Sequence, residues 1–166
     1  GKEAIMLVPE ISLTPQIIAR FKAHFNEDIA ILHSGLSDGE KFDEYKKILR
    51  KEVKIVVGAR SAIFAPFTNL GIIIIDEEHS DTYKQESNPR YDAKEVAFLR
   101  GKKYGAKVIL GSATPTIESY ARAKHGYYEL VKLEKRANDA SLPIVNIVDM
   151  SKEFKKNNPM FSKELL

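Results

Sequence analysis

The sequence predicts an α/β fold in which helices flank a parallel sheet. Short apolar runs rich in Ile and Val alternate with amphipathic stretches along the 166 residues. Continuous apolar runs of this length are typical of strands that are buried on both faces of a parallel sheet. Helix-start patterns precede the amphipathic stretches, and strands that alternate with helices favour right-handed crossovers into one sheet.

The strand candidates are runs of aliphatic, mostly β-branched residues. Four are clear and two are weaker. The clear ones are Ile5–Val8, Ile55–Val57, Ile72–Ile75 and Val108–Leu110, and the weaker ones are Ile29–Leu32 and Ile144–Val148.

Four helices are predicted from their first residues. Thr14 precedes Pro15 as an N-cap before proline, and Ser37 has the capping-box spacing to Glu40. A third helix is predicted over residues 92–104, and a fourth after the Thr114-Pro115 dipeptide. The apolar faces of the first two are expected to comprise Ile17, Ile18, Phe21 and Phe25, and then Phe42, Tyr45, Ile48 and Leu49.

Composition restricts the function only broadly. The net charge of +3 and pI near 8.9 say little about nucleic acid, since the clustering of charge matters more than its total. The absence of cysteine excludes disulfides and Cys-ligated zinc or iron–sulfur sites within these residues. No apolar run approaches the ~20 residues of a membrane span and no signal peptide is evident, so a cytoplasmic protein without membrane contact is expected.

Acidic residues follow the apolar run Ile72–Ile75 directly. Asp76, Glu77, Glu78 and His79 stand where this predicted strand emerges at its carboxyl end, the edge at which open α/β sheets bind ligands. One carboxylate there can hold Mg²⁺, directly or through water, and a second can orient or deprotonate an attacking water. The alternative is a strand that ends in a solvated acidic turn.

Small hydroxyl residues follow the next buried run, Val108–Leu110. Ser112 and Thr114 can hydrogen-bond across to the acidic residues, because parallel strands end at the same edge of a sheet. The alternative for Thr114 is that it only caps the helix that begins with Pro115.

These two segments together resemble motifs II and III of superfamily 2 helicases. Three further stretches resemble the replication-restart helicases of that superfamily: residues 7–16 its motif Ia, residues 33–37 the segment that follows, and residues 58–67 motif Ib. The resemblance implies a partial RecA-like helicase lobe over residues 1–150. It also implies that residues 151–166 are a linker toward an absent zinc module and an absent second lobe.

Residues 83–91 resemble the aromatic-rich loop that couples single-stranded DNA binding to ATP hydrolysis in that family. Aromatic faces stack on bases, and basic side chains attract phosphates. Pro89 stands where some relatives carry tryptophan, which reduces the stacking surface. The predicted DNA-binding residues are Thr14, Arg60, Ser61, Tyr83, Lys84, Arg90 and Tyr91.

The resemblance also implies roles for the acidic residues. Asp76 would hold Mg²⁺, Glu77 would activate water, and Glu78 with His79 would couple the site to Ser112 and Thr114, the remaining catalytic candidates. ATP and Mg²⁺ would serve the complete protein, with zinc only in the absent module and nothing bound to the isolated chain. Its partners would be single-stranded and forked DNA, primosome proteins and the single-strand-binding protein.

The sequence contains no match to G-x-x-x-x-G-K-[ST], the loop that holds nucleotide phosphates. The expected RecA-like sheet therefore lacks the strand and helix that carry this loop. The family resemblance implies an ATP-dependent 3′-to-5′ DNA helicase that restarts stalled replication forks and assembles primosomes, and we expect this chain to be an inactive fragment of it. The alternatives are another superfamily 2 translocase or, for the isolated chain, a non-catalytic DNA- or protein-binding module.

The missing strand would lie beside Val108–Leu110. Because an open apolar strand edge invites pairing, we expect Ile144–Val148 or a second copy of the chain to fill the gap.

Overall fold

The computed structural model describes residues 1–134 and 144–153. The chain divides into two compact units, residues 1–129 and 130–166. The first unit contains strands β1 (Glu3–Leu7), β2 (Ile29–Leu32), β3 (Ile55–Gly58), β4 (Leu70–Ile75), β5 (Lys84–Gln85), β6 (Tyr91–Asp92) and β7 (Lys107–Leu110). Its helices are α1 (Pro15–Phe25), α2 (Asp38–Leu49), α3 (Ala93–Tyr104) and α4 (Ile117–Lys124), and short 3-10 helices include Arg60–Phe64 and Asp81–Tyr83.

Five strands form one parallel sheet in the order β2-β3-β1-β4-β7. This arrangement confirms the predicted α/β fold with a parallel sheet flanked by helices. In the neighbouring strands β1 and β4, Ile5, Leu7, Ile73 and Ile75 are shielded completely from solvent. Because all five strands run in the same direction, the segments that follow them emerge at one edge of the sheet, where the predicted functional residues lie.

The first two helices begin as predicted. The Thr14 hydroxyl accepts a hydrogen bond from the Ile17 amide at 3.4 Å. The Ser37 hydroxyl accepts one from the Glu40 amide at 3.3 Å, and the Glu40 carboxylate accepts one from the Ser37 amide at 2.8 Å. These side chains satisfy amides that the first turn of a helix leaves without a partner.

The predicted buried face of α2 is half wrong. Ile48 is buried and Tyr45 half-buried, but Phe42 is 61% exposed and Leu49 65% exposed. Ile48 and Glu44, whose carboxylate accepts from the Ile31 amide at 2.9 Å, mark the face that meets the sheet. At about 100° per residue, Phe42 and Leu49 fall on the flank of that face and stay in solvent.

Strand β7 is an edge strand within the described residues, where it pairs with β4 alone. Ile144–Val148 forms no strand, so the prediction that this segment pairs with β7 is wrong. Exposure alternates along β7: Lys107 and Ile109 are exposed, and Val108 and Leu110 are half-buried. Water can therefore reach the strand, and its outer amides and carbonyls do not require a protein partner. Pairing with a second copy stays a prediction.

The second unit is described over residues 130–134 and 144–153. Its one described helix is the short α5 (Met150–Glu153), before which Asp149 accepts from the Ser151 hydroxyl at 2.6 Å. The predicted linker, residues 151–166, lies outside the described residues from residue 154 onward. In the described ranges, no helix has the length and apolar character needed to cross a membrane.

Candidate functional site

The acidic turn, residues 76–79, is fixed by its main chain to two neighbouring strands. The Asp76 amide donates to the Leu7 carbonyl at the end of β1, and the Glu78 amide donates to the Gly111 carbonyl just after β7, both at 2.9 Å. Glu77 between them has φ +46°, in the left-handed region that side chains other than glycine seldom adopt. The turn therefore reverses sharply, with Asp76 and His79 exposed and Glu78 buried.

Asp76 presents a carboxylate at the end of β4. Its Oδ1 accepts from the Glu77 amide at 3.0 Å, and its main-chain carbonyl accepts from the Tyr83 hydroxyl at 2.5 Å. In the described part of the chain, no three His, Cys, Asp or Glu side chains cluster as a metal cage. Mg²⁺ commonly uses one or two carboxylates together with water and substrate phosphates, and a single exposed Asp76 fits that mode.

His79 links the acidic turn to the segment after β7. Its Nδ1 lies 2.8 Å from Ser112 Oγ and 3.5 Å from the Glu77 carboxylate. Ser112 Oγ also accepts from the Thr114 amide at 3.0 Å. The structure thus contains the expected hydrogen bond between the acidic turn and Ser112, and His79 makes it. Thr114 takes part through its amide, while the residue itself is exposed.

Glu78 is 1% exposed and turns away from this surface. Its carboxylate accepts from the Thr116 amide at 2.6 Å, from the Ser119 hydroxyl at 3.0 Å and from Lys94 Nζ at 3.1 Å. Burial alone raises the pKa of this carboxyl, but these three donors outweigh burial and bring the pKa below its ordinary value. Glu78 is therefore an ionised anchor.

This geometry adds to one expectation and excludes one alternative. Glu78 was predicted, with His79, to couple the turn to the segment after β7, and its amide bonds to Gly111 in that segment. The partners of its carboxylate lie instead at the starts of α3 and α4, and the coupling role stays a prediction. Thr114 was a possible N-cap, but the cap of α4 is Thr116, whose hydroxyl accepts from the Ser119 amide at 3.3 Å. The Thr-Pro dipeptide suggested the earlier cap, although Thr116 and Ser119 have the spacing of a cap and its N3 residue.

The aromatic-rich segment, residues 83–91, is built on the antiparallel ribbon of β5 and β6. Its tip over residues 86–90 is exposed, as is Lys84, while Tyr91 is half-buried. Asp92 ends the ribbon and caps α3, accepting from the Lys94 amide at 2.7 Å. Lys84 and Arg90 are therefore accessible from solvent, and Tyr91 is partly accessible.

Arg60 fastens the base of this segment. Its Nη1 donates to the carbonyls of Thr82 at 3.0 Å and Lys84 at 2.6 Å. Its guanidinium carbon lies 5.8 Å from the centre of the Tyr91 ring, which packs edge-on against Phe64 at 4.9 Å. Arg60, predicted only as a DNA contact, thus also holds the segment to the 3-10 helix after β3.

The structure contradicts the prediction that Tyr83 is a DNA-binding residue. Tyr83 is 1% exposed and belongs to the same core cluster as Ile75. Its hydroxyl donates to the Asp76 carbonyl, and burial raises its pKa. The 3-10 helix Asp81–Tyr83 turns the ring inward, where no base can reach it.

Most of the predicted residues gather at the carboxyl edge of the sheet. Thr14 follows β1, Arg60 and the exposed Ser61 follow β3, the acidic turn follows β4, and Ser112 follows β7. The residues that sequence reasoning missed are Lys94, Thr116 and Ser119. Each is an ordinary polar helix residue in the sequence, and only the fold brings them to Glu78.

Comparison with known proteins places this geometry in a family. The family model described as DEAD/DEAH box helicase matches residues 1–123. The chain is 62% identical over its whole length to the replication restart protein PriA of Bacillus subtilis (strain 168), of which it covers 21%. It is 46% identical to the PriA protein of Chlamydia trachomatis, of which it covers 22%. The chain thus spans about a fifth of the length of these relatives.

Two solved structures resemble the fold. RecG bound to a three-way DNA junction is 25% identical with a TM-score of 0.50, covering 76% of this chain and 16% of RecG. The C-terminal domain of the DEAD-box protein Dbp5 is 14% identical with a TM-score of 0.51, covering 77% of this chain and 72% of that domain. The Dbp5 likeness concerns the fold alone. With the family match, these neighbours confirm the predicted RecA-like helicase fold.

Proposed function

The chain belongs to the DEAD/DEAH box helicase family, and we propose that it is part of an ATP-dependent 3′-to-5′ DNA helicase that restarts stalled replication forks. One observation carries the proposal: the acidic turn at the carboxyl edge of the sheet is joined through His79 to Ser112, at 2.8 Å. Through this bond the acidic turn, with the carboxylates of Asp76 and Glu77, is connected to the segment that follows β7. A motor needs such a connection to link ATP hydrolysis to movement. The identity to PriA proteins supports the restart role.

Three residues of the turn, Asp76, Glu77 and His79, have proposed roles in hydrolysis. ATP with Mg²⁺, when bound, supplies the phosphoryl group and neutralises its charge. Asp76 would hold Mg²⁺ through its exposed carboxylate. Glu77 accepts a proton from the attacking water, and His79, 3.5 Å from the Glu77 carboxylate, holds that carboxylate in place and relays its state to Ser112.

The DNA-facing residues surround the same edge. Lys84 and Arg90 attract phosphates, and Tyr91 offers a ring face to a base. Thr14, Arg60 and Ser61 lie after the neighbouring strands, where a DNA backbone could run. We propose single-stranded and forked DNA as ligands, with primosome proteins and the single-strand-binding protein as partners in the cytoplasm. The structure of RecG on a three-way DNA junction supports forked DNA as the substrate class.

The test uses the full-length protein that contains this chain. ATP hydrolysis is measured with and without single-stranded DNA, and unwinding is measured on forks with a 3′ or a 5′ single-stranded tail. We expect DNA-stimulated hydrolysis and unwinding from the 3′ tail only. ATP hydrolysis whose rate does not change when DNA is added, or unwinding from the 5′ tail, would contradict the proposal.

The 166-residue chain by itself provides a second arm. It has no phosphate-binding loop in its sequence, and acids without phosphate positioning do not catalyse phosphoryl transfer. We expect no ATP turnover from the purified chain, with or without DNA. Steady DNA-stimulated ATP turnover by the chain would show that hydrolysis does not require a phosphate-binding loop from elsewhere in the full-length protein.

A further inference from the structure

One buried carboxylate joins three segments of the molecule. Glu78 belongs to the acidic turn, Lys94 to the start of α3 behind the aromatic-rich segment, and Thr116 and Ser119 to the start of α4 behind Ser112. We infer that Glu78 and Lys94 are a positioning pair that carries the state of the aromatic-rich segment to the acidic turn and to α4. The pair thereby sets how strongly DNA accelerates ATP hydrolysis, an inference that rests on the proposed function.

The first contact ties Lys94 to the aromatic-rich segment. Asp92, the last residue of β6, accepts from the Lys94 amide at 2.7 Å, so a shift of the ribbon moves the main chain of Lys94. The Lys94 ammonium reaches back to the acidic turn. It donates to the Glu78 carbonyl at 3.2 Å and to the Glu78 carboxylate at 3.1 Å, with its side chain 19% exposed.

The second contact ties Glu78 to α4. Glu78 Oε1 accepts from the Thr116 amide at 2.6 Å, and Oε2 accepts from the hydroxyls of Ser119 at 3.0 Å and Thr116 at 3.3 Å. Thr116 follows the segment that contains Ser112, which is bonded to His79. The carboxylate therefore contacts the start of α4 on one side of the site, while His79 contacts Ser112 on the other.

Because the Glu78 carboxylate is buried, its energy depends strongly on whether its hydrogen-bond partners stay in place. A buried charge that loses a partner is strongly destabilised, because water cannot replace the lost bond. Within the described residues every buried side-chain nitrogen and oxygen has a hydrogen-bond partner. A movement of Lys94 must then be followed by Glu78, and through Glu78 by Thr116 and Ser119. Water would screen an exposed ion pair, so such a pair would transmit little of a movement from one partner to the other.

The experiment compares two lysines of α3 in the full-length protein. Lys94→Met removes the ammonium but keeps the aliphatic stem, and Lys102→Met makes the same change at an exposed position of the same helix. ATP turnover is measured with and without single-stranded DNA, and DNA affinity is measured over a range of salt concentrations. For Lys94→Met we expect unchanged basal turnover and DNA stimulation reduced about five- to tenfold, the size of a modest coupling between sites.

Two controls identify the pair as the cause. Lys94→Arg keeps the charge and should restore most of the stimulation, and Lys102→Met should behave as wild type. The slope of DNA affinity against salt should not change in Lys94→Met, because this lysine pairs with Glu78 and neutralises no phosphate. A slope smaller by about one would make Lys94 a DNA contact and overturn the inference.

The double variant Glu78→Gln/Lys94→Met keeps the test decisive if Lys94→Met fails to fold, since it removes both charges of the buried pair, and its DNA stimulation should fall by the same factor of about five to ten. Where Lys94→Met and Glu78→Gln both fold, the loss of stimulation in the double variant should equal that of either single variant and not the sum of the two losses. Additive losses, full stimulation, or an equal loss of basal and stimulated turnover would each overturn the inference. A wild-type protein that DNA does not stimulate would overturn the proposed function, and the inference with it.

Discussion

The acidic turn and the aromatic-rich segment are neighbours in sequence but are held in different ways. The turn continues β4, a strand paired on both sides, and its main chain bonds to the ends of β1 and β7. Among the described residues, the ribbon of the segment pairs only with itself, and its tip is exposed. Tyr83 and Arg60 fasten its base. Regions with few buried contacts open more easily than a sheet centre, so the turn suits fixed chemistry and the segment suits sensing.

The largest effect is expected from a change in the acidic turn that removes ATP hydrolysis and leaves DNA binding in place. Glu77→Gln in the full-length protein should lower basal and DNA-stimulated ATP turnover alike, by about 10²–10⁴-fold, the usual contribution of a positioned base. Nucleotide and DNA binding should remain, because the amide keeps the shape of the side chain. Steady-state hydrolysis and equilibrium binding measure the two effects. Asp43→Asn, the same kind of change on the exposed side of α2, is the control, and a Glu77→Gln variant with near-normal turnover would remove Glu77 as the base.

Two tyrosines at the ends of the segment sharpen the comparison. Tyr83→Ala should lower the free energy of unfolding of the 166-residue chain by about 3–5 kcal/mol, because it empties a buried site. Tyr91→Ala should cost far less stability, yet in the full-length protein it should weaken single-stranded DNA binding by about 1–3 kcal/mol, the value of one stacked base. Urea unfolding and DNA titration separate the two. A weak stability effect for Tyr83→Ala would contradict its assignment to the core.

Arg60 tests whether this residue holds the base of the segment or contacts DNA. Arg60→Met removes the guanidinium, whose Nη1 donates to both carbonyls, together with its charge. We expect a several-fold loss of DNA stimulation with an unchanged salt slope of DNA affinity, because the guanidinium bonds to protein carbonyls and neutralises no phosphate. A salt slope smaller by about one would make Arg60 a DNA contact instead. Arg50→Met, the same change at an exposed residue after α2, should change neither quantity, and normal stimulation in Arg60→Met would show that the two hydrogen bonds do not contribute.

The smallest effect concerns the pH dependence of stability. The folded-state pKa of Glu78 lies below its ordinary value, so its contribution is present above the unfolded-state pKa and is lost as pH falls through the folded-state pKa. The difference in unfolding free energy between wild type and Glu78→Gln should therefore be constant near neutral pH. It should shift against wild type as the solution becomes more acidic than an ordinary glutamate pKa. Urea unfolding of the chain at a series of pH values measures this, and a shift in favour of wild type on acidification would be inconsistent with an ionised anchor.

The strands could be predicted from the sequence because parallel strands are marked by local composition. Ile55, Ile72 and their neighbours form unbroken apolar runs, and the helix caps at Thr14 and Ser37 depend on residues three positions apart. The failures at Phe42 and Leu49 have a different origin. A helical pattern identifies an apolar face approximately, but the contact with the sheet decides which side chains at its margin are covered.

The candidate site was predictable only where sequence and strand direction act together. Asp76 and Ser112 each follow an apolar run, so parallel pairing was enough to bring them to one edge. Tyr83 was misplaced because its neighbours in sequence, Thr82 and Lys84, are exposed, whereas a single 3-10 turn decides which way its ring points. No local pattern distinguishes an inward tyrosine from an outward one in such a segment.

The sequence by itself determined the α/β class, the edge at which the acids lie and the family to which the chain is similar, because each follows from local runs and spacings. The tertiary structure decided which acid is buried. Glu77 and Glu78 are adjacent and chemically identical, but the reversal at Glu77 leaves one beside His79 and sends the other to Lys94 and Thr116. Burial and hydrogen bonding depend on residues distant in the chain, so only the folded molecule separates the proposed base from the anchor.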